Sequence, residues 1–542
     1  MIIIKEGDVF EGQIEFSTNG SASLKTQEKE IFIYKKNTAN SLHLDKVKIE
    51  IFKSEKRLEG RVIEVISRFK TEFVGRVQIS KKNTTFVIPD SNKISVDFYI
   101  KGGLIAEDGQ KVIVELTKWE DSKSPQGKIT KILGNSGDNN TEMNSIMFEY
   151  ELPVEFPQDV INESALVSEV ITQKEINNRR DMRKVTTITI DPVDAKDFDD
   201  ALSLKVINDN NFEIGVHIAD VSHYIKPETK LDEEAYKRAT SVYLVDRCIP
   251  MLPERLSNGI CSLKPNEDRL AFSVVFNINK EGEIFDTWFG KTIIHSDKRF
   301  TYEQAQEIIE SENQLPLTDQ EKKSIQPLEE VWGDDKDLVY KQHSQSHLEI
   351  MINQLNKLAQ KIRTKRIKDG SIEMGGIEVK FKLAEDNKKP IGVYFKEQKE
   401  ANKLIEEFML LANKAVAKFV KSKIGFCVNR SHPEPNIDRL TELKVICDKM
   451  GYDFDISNES KIKESINKLI KKVKGTPEEN FINTLIVRTQ SKAYYTTENI
   501  GHYGLGFGIE DNSGYCHFTS PIRRYADILV HRLLVISLDY TK

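Results

Sequence analysis

The sequence predicts a multi-domain protein in which two small all-β barrels precede a large mixed α+β domain, and three observations carry this expectation. The first 134 residues repeat themselves weakly at about 65 residues, a polar segment then interrupts the pattern, and beyond it strand-like runs are interleaved with long amphipathic stretches. At 542 residues and 39% hydrophobic content, the chain can bury several ordinary cores.

The repeat defines the first two elements. Gly12-Gln-Ile-Glu-Phe16 recurs as Gly75-Arg-Val-Gln-Ile79, and Phe32-Ile-Tyr34 as Phe98-Tyr-Ile100. Lys46-Val-Lys-Ile-Glu-Ile51 recurs as Lys111-Val-Ile-Val-Glu-Leu116, and Gly60-Arg-Val-Ile-Glu-Val65 as Gly127-Lys-Ile-Thr-Lys-Ile132. Each unit holds four or five short alternating strands with glycines at the bends. That is too little chain for a sandwich and suits a closed barrel of the oligonucleotide-binding kind, over 1–66 and 67–134. Such barrels stack bases on aromatics beside Lys and Arg, which makes Phe16, Phe32, Tyr34, Phe86, Phe98 and Tyr99 candidates, each competing with a place in a barrel core. Residues 1–134 carry 23 Lys+Arg against 19 Asp+Glu within a chain of net charge −6, a modest basic excess that a solvated surface explains equally well.

Residues 135–147, rich in Asn, Ser and Asp, read as a polar linker, and 148–542 as the large domain. Within it, helical stretches are expected over Pro157–Arg183 and around Leu348–Lys368, Lys399–Val420 and Glu478–Tyr495. Val216–Tyr224 alternates like a half-buried strand, so His217 and His223 are read as core histidines despite flanking Asp220.

The densest chemistry lies in Asp191-Pro-Val-Asp-Ala-Lys-Asp-Phe-Asp-Asp200, five aspartates and one lysine between two β-like runs. Carboxylates crowded this closely raise each other's pKa, and a divalent cation relieves the repulsion. Oxygen ligands without His or Cys favour Mg²⁺ or Mn²⁺ over Zn²⁺. A calcium loop is excluded by spacing, because Lys196 and Leu202 stand where that loop needs Gly and Glu. A solvated acidic turn is the competing reading. A second segment runs His517-Phe-Thr-Ser-Pro-Ile-Arg-Arg-Tyr525. Ser520 and Pro521 read as an N-cap and first helical position, which sets Arg523 and Arg524 in the first turn of a helix. Cations there oppose the helix dipole unless an anion or a carboxylate such as Asp527 is close. Clustered aspartates and a helix-start arginine together are the parts of metal-assisted phosphodiester cleavage.

The amino terminus, Met1-Ile-Ile-Ile-Lys-Glu, is read as neither a signal peptide nor an anchor, and no apolar run approaches membrane-spanning length. The five cysteines are far apart without a C-x-x-C, which argues against structural zinc and a disulfide framework. The expected compartment is the cytoplasm.

Five ordered segments resemble the ribonuclease II/ribonuclease R (RNB) family: Thr189–Ala201, His217–Tyr224, Ile249–Ser257, Ile405–Asn413 and His517–Tyr525. The resemblance covers residues 148–542 for the catalytic domain, and the paired barrels are similar to the two cold-shock-like domains that precede it in that family. It implies processive Mg²⁺-dependent hydrolysis of single-stranded RNA from its 3′ end to 5′-nucleoside monophosphates, by a monomer with no membrane association. By motif position it implies that Asp191, Asp197, Asp199 and Asp200 are catalytic metal ligands, that Arg523 contacts the scissile phosphate, that Tyr243 clamps the terminal nucleotide and that Tyr302 senses the ribose, with Arg524 taken as a further substrate-binding residue. Asp194 has no role in that pattern. Family members continue past the arginine helix with a further catalytic glutamate and an S1-type barrel, so the end at Lys542 is expected to leave Leu529, Leu533, Leu534 and Ile536 partly uncovered. The rival expectation is a non-catalytic RNA-binding or regulatory member of the same family.

Overall fold

The computed structural model describes residues 4–26, 29–53, 57–120, 124–312, 345–373, 377–385, 390–507 and 514–539, in two compact units. The first holds both barrels and runs to Glu155, with two short later segments. Strands β1 (Val9–Phe16), β2 (Ala22–Lys25), β3 (Glu30–Ile33), β4 (Lys46–Lys53) and β5 (Glu59–Ser67) close in the order β1-β2-β3-β5-β4. Strands β6 (Glu72–Ile79), β7 (Thr85–Pro89), β8 (Phe98–Gly103), β9 (Gln110–Lys118) and β10 (Gln126–Asn135) close in the same cyclic order, β6-β7-β8-β10-β9. The sequence repeat is therefore a repeat of topology.

Strict alternation turns Val47, Ile49 and Ile51 of β4 inward, each burial worth about 1.5–3 kcal/mol. The same alternation sorts the aromatics. Phe16 and Phe98 are barrel core, whereas Tyr34 is exposed and Phe32, Phe86 and Tyr99 are half-buried. Phe32 stands edge-on to Tyr34 with the Arg57 guanidinium over its ring.

The expected linker is a correction. Helix α1 (Asn139–Glu149) occupies most of 135–147, buries Thr141, Ser145 and Met147, and packs on β10 and β6. Its polar composition concealed it, because Asn and Thr suit turns when read locally.

The second unit is built on a seven-stranded sheet of order β11-β18-β17-β14-β13-β12-β19. Its strands are β11 (Arg180–Asp181), β12 (Thr187–Asp191), β13 (Asp200–Asn208), β14 (Asn211–Ala219), β17 (Asp268–Asn279), β18 (Ile284–His295) and β19 (Lys298–Thr301); β15 (Val242–Tyr243) and β16 (Cys248–Ile249) form a separate ribbon. Alternation divides the side chains between two cores. Leu202, Leu204, Ile214, Val216, Phe272 and Val274 face one core, and Ala201, Ala271 and Val275 face the other.

Helices α2 (Gln158–Leu166) and α3 (Gln173–Asn177) replace the single helical stretch expected over Pro157–Arg183, which ends instead in β11. The others are α4 (Val221–Tyr224), α5 (Lys230–Arg238), α6 (Tyr302–Glu312), α7 (Gln345–Lys368), α8 (Glu400–Ile424), α9 (Ile437–Lys449), α10 (Glu459–Val473), α11 (Glu479–Thr489) and α12 (Tyr525–Ser537). Among the described residues no helix is long and apolar enough to cross a membrane.

Two further expectations are corrected, the second in part. The strand over Val216–Tyr224 ends at Ala219, and Asp220 caps α4, so His223 is helical. His217 is a core histidine as expected, fully buried and held by Ser203 and Ser273 hydroxyls at 2.8 and 2.7 Å. A Cβ at Gly215 would lie 2.4 Å from its ring, so this packing requires glycine there. At the carboxyl end, of the four residues expected to be partly uncovered, Leu529 and Leu533 are half-buried in the two cores and Ile536 is exposed, whereas Leu534 is fully buried.

Candidate active site

The site is assembled by two loops, the first of which joins the interior strands β12 and β13 of the sheet. Strand β12 ends at Asp191, β13 begins at Asp200, and the segment between them crosses from one antiparallel neighbour to the other. Its path is fixed by partners far away in the chain. The Phe198 amide donates to Ser262 Oγ at 3.0 Å, that hydroxyl donates to the Lys196 carbonyl at 2.7 Å, and Arg299 Nη2 donates to the Pro192 and Val193 carbonyls. Phe198 is buried beneath the Arg299 guanidinium, its centroid 5.2 Å away.

Arg523 and Arg524 come from the second loop. Here the sequence expectation is corrected: α12 begins at Tyr525, Arg524 is its N-cap with extended backbone, and Ser520–Arg523 form a turn. Asp527 explains the displacement, because its Oδ1 accepts the Ser520 amide at 2.7 Å and organises the turn from inside the helix. Both Asp527 oxygens also receive Arg524, at 2.9 and 2.7 Å, so that guanidinium is held as one half of a bidentate pair. Arg523 is held differently. Its carbonyl accepts from the Ser241 amide and the Thr240 hydroxyl at 2.9 Å each, while its side chain remains 46% exposed, with Nε 3.4 Å from Asp199.

Those bonds tie Arg523 to the strand that carries Tyr243. Tyr243 is 54% exposed and donates its hydroxyl to Asp197 at 3.0 Å. Asp199 is 4% exposed and accepts the Ile522 amide at 2.9 Å. The matched residues thus come together: Asp197 under Tyr243, Asp199 against the arginine turn, and Asp191 and Asp200 beside each other. Asp194 is exposed on the loop. Tyr302 opens α6, and its phenol is pushed well above the usual range by burial and then by the charges of Asp200 and Asp191, which sets it within electrostatic reach of both. Arg299 and Ser262 are contributors that sequence reading did not assign, whereas the pairing of Asp527 with one of the two arginines is the alternative it named.

Electrostatics give the site its character. Burial, then neighbouring carboxylates, push Asp191 and Asp200 up to about 7. Burial pushes Asp199 up to about 8 against the opposing pull of Arg523. Asp191 Oδ2 is buried with no hydrogen-bond donor. An orphaned acceptor among carboxyls that resist ionisation fits a hard divalent cation, which alone would let all of them ionise together. Among the described residues no three His, Cys, Asp or Glu side chains converge as a ready-made ligand set, so binding a cation requires the carboxylates to draw in.

The RNB domain model matches residues 179–539, the ribonuclease B OB domain 12–65 and the cold shock domain 86–157. The chain belongs to the RNB family of ribonucleases. It is 37% identical to ribonuclease R of Thermotoga maritima over 98% of its own length and 71% of that relative's. Its fold matches that of Mycoplasma genitalium RNase R, solved in complex with ribose-methylated single-stranded RNA, with TM-score 0.84 and 22% identity over 98% of this chain and 80% of that one. Yeast Ssd1, described as a pseudonuclease, shares the RNB fold at TM-score 0.68 and 18% identity, over 98% and 69% of the two chains.

Proposed function

We propose that the protein is a Mg²⁺-dependent 3′→5′ exoribonuclease that degrades single-stranded RNA processively to 5′-nucleoside monophosphates. The observation that carries this reading is the junction of Asp191, Asp197, Asp199 and Asp200 with an exposed, backbone-anchored Arg523. Asp191, Asp197, Asp199 and Asp200 would hold the metal, which when bound neutralises phosphate charge and acidifies a water.

The chain's own residues perform the remaining tasks. Arg523 presents a fixed cation where negative charge develops on the phosphate, and its anchoring to Thr240 and Ser241 removes the cost of ordering it at the moment of reaction. Tyr243 offers a ring to the terminal base while its hydroxyl fixes Asp197. Tyr302, whose phenol feels the charges of Asp200 and Asp191, would meet the terminal ribose, a contact that would discriminate RNA from DNA. Arg524, paired with the Asp527 that holds the Ser520 amide, braces the turn that carries Arg523 and would add positive charge toward the RNA. Barrel aromatics that face solvent, Tyr34 above all, would guide the strand. A cytoplasmic monomer is part of the same proposal, on the support of five free cysteines of which four are buried.

A second reading, a non-catalytic RNA-binding or regulatory member, is favoured by the open arrangement of the carboxylates, and yeast Ssd1, whose fold this chain matches, is a pseudonuclease. Incubation of the chain with 5′-labelled oligoadenylate and Mg²⁺ separates the two. Release of AMP and stepwise shortening from the 3′ end is the expected result. Tight binding with intact RNA would overturn the enzymatic reading.

A further inference from the structure

A second aromatic and cationic cluster lies on the ribbon formed by Asn429–Ser431 and Tyr494–Thr496, and the site described above uses none of it. Arg430 and Tyr495 are cross-strand partners, so their side chains emerge on one face, and the Arg430 guanidinium carbon lies 4.8 Å from the Tyr495 ring centroid. Tyr495 Oη and His517 Nδ1 are 2.7 Å apart, with the two rings edge to face. The ribbon is fastened to the arginine loop, because the Arg430 amide donates to the Tyr515 carbonyl at 2.7 Å and Asn429 bridges Cys516. His517 is six residues before Arg523 in that loop.

Despite these restraints, Tyr495 is 42% exposed. A tyrosine recruited only for packing would bury its ring. This one has a guanidinium over one face, an imidazole on its edge and a fixed hydroxyl, which leaves an immobilised aromatic surface open. With Nδ1 engaged, Nε2 is the His517 nitrogen left to meet a ligand. Arg430 and Arg524 bring positive charge to the Tyr495 phenol, with Asp527 opposing them, and Lys492, three residues earlier in the chain, is exposed. A rigid exposed ring beside fixed cations is how single-stranded nucleic acid is held, bases on the ring and phosphates on the cations.

The geometry points to a nucleotide subsite at Tyr495, in which a base of the single-stranded RNA stacks on the ring while Arg430 and His517 Nε2 meet the adjoining phosphate or ribose. The inference rests on the RNA reading of the site, but it concerns binding and not turnover, so the two can fail separately.

The test uses the full chain in EDTA, with oligoadenylates carrying a single 2-aminopurine moved one position at a time from the 3′ end. The expected result is a local maximum of fluorescence quenching at one internal position, distinct from any quenching at the 3′-terminal position, where Tyr243 is expected to stack. Tyr495→Leu should abolish that maximum and weaken binding about tenfold, whereas Tyr495→Phe, which keeps the ring, should retain it. Arg430→Gln should weaken binding and reduce its salt dependence without moving the maximum. Absence of an internal maximum in the wild-type protein overturns the subsite whatever the variants do, as does a maximum that survives in a Tyr495→Leu protein of normal melting temperature. AMP release without an internal maximum would reject the subsite and leave the exonuclease; a maximum without cleavage would do the reverse.

Discussion

Asp220 and the Asp191–Asp200 loop bury carboxylates in the same domain in opposite ways. Asp220 is 0% exposed, receives Arg179 Nη2 at 2.8 Å and caps α4 through the His223 amide. Burial alone would raise its pKa, but Arg179 and Lys291 outweigh it and hold the carboxyl below the usual range. Asp199 is almost as buried, yet it meets Arg523 at 3.4 Å through a guanidinium that is half in solvent, and it is pushed up to about 8. The contrast teaches that burial does not make a carboxylate functional. A buried acid with a committed partner is scaffold; buried acids left to one another create a demand for a cation.

The comparison breaks most visibly in catalysis. Asp200→Asn keeps the size of the side chain and deletes one charge from the loop, so single-turnover cleavage of oligoadenylate should fall by about 10²–10³-fold or more while RNA affinity stays close to normal. An active Asp200→Asn protein would return the loop to the acidic turn that competes with it.

Stability should respond with opposite signs in the two regions. Asp220→Ala strands the buried Arg179 and should cost about 3–5 kcal/mol in denaturant unfolding. Asp200→Asn relieves a carboxyl held near 7 and should stabilise the metal-free protein by roughly 1–3 kcal/mol. Losses of similar size in both variants would show that the loop carboxylates are scaffold as well.

The adjacent arginines sharpen the contrast at shorter range. Arg524→Ala leaves the fully buried Asp527 without its bidentate partner and should lower the melting temperature by several degrees. Arg523→Ala, whose guanidinium is 46% exposed, should leave melting nearly unchanged and slow cleavage by about 10²-fold. Tyr243→Phe should have the smallest effect, a severalfold slowing, since it removes one hydroxyl from Asp197 and keeps the ring.

How much of this was legible in the sequence follows the range of the interactions involved. The barrels were readable because alternation and glycine bends are local, and even the order of pairing repeats. The aspartate loop was readable because five carboxylates in ten residues demand an explanation. Helix α1 was not, since its residues favour turns and only packing on β10 and β6 makes it a helix. Ser520-Pro521 carries the ordinary signature of a helix start, yet Asp527 reaches back to the Ser520 amide and delays the helix to Tyr525. Ser262 and Arg299 left no local signal, because each meets the loop across about 65 to 105 residues of chain.

The most direct test of the uncompensated-carboxylate account is the pH dependence of melting with and without Mg²⁺, comparing wild type with Asp200→Asn. Asp191, Asp199 and Asp200 are raised to about 7, 8 and 7, so the folded protein keeps protons that the unfolded chain releases near pH 4. Their contribution to stability is fully present below about pH 4 and is lost as pH climbs through about 8. In EDTA the wild-type melting temperature should therefore fall between pH 5 and 8 more steeply than that of Asp200→Asn, and Mg²⁺ should restore it most at pH 8, where it no longer competes with protons. Parallel wild-type and Asp200→Asn profiles, unmoved by Mg²⁺ at any pH, would contradict the claim that these carboxylates are buried in wait for a cation.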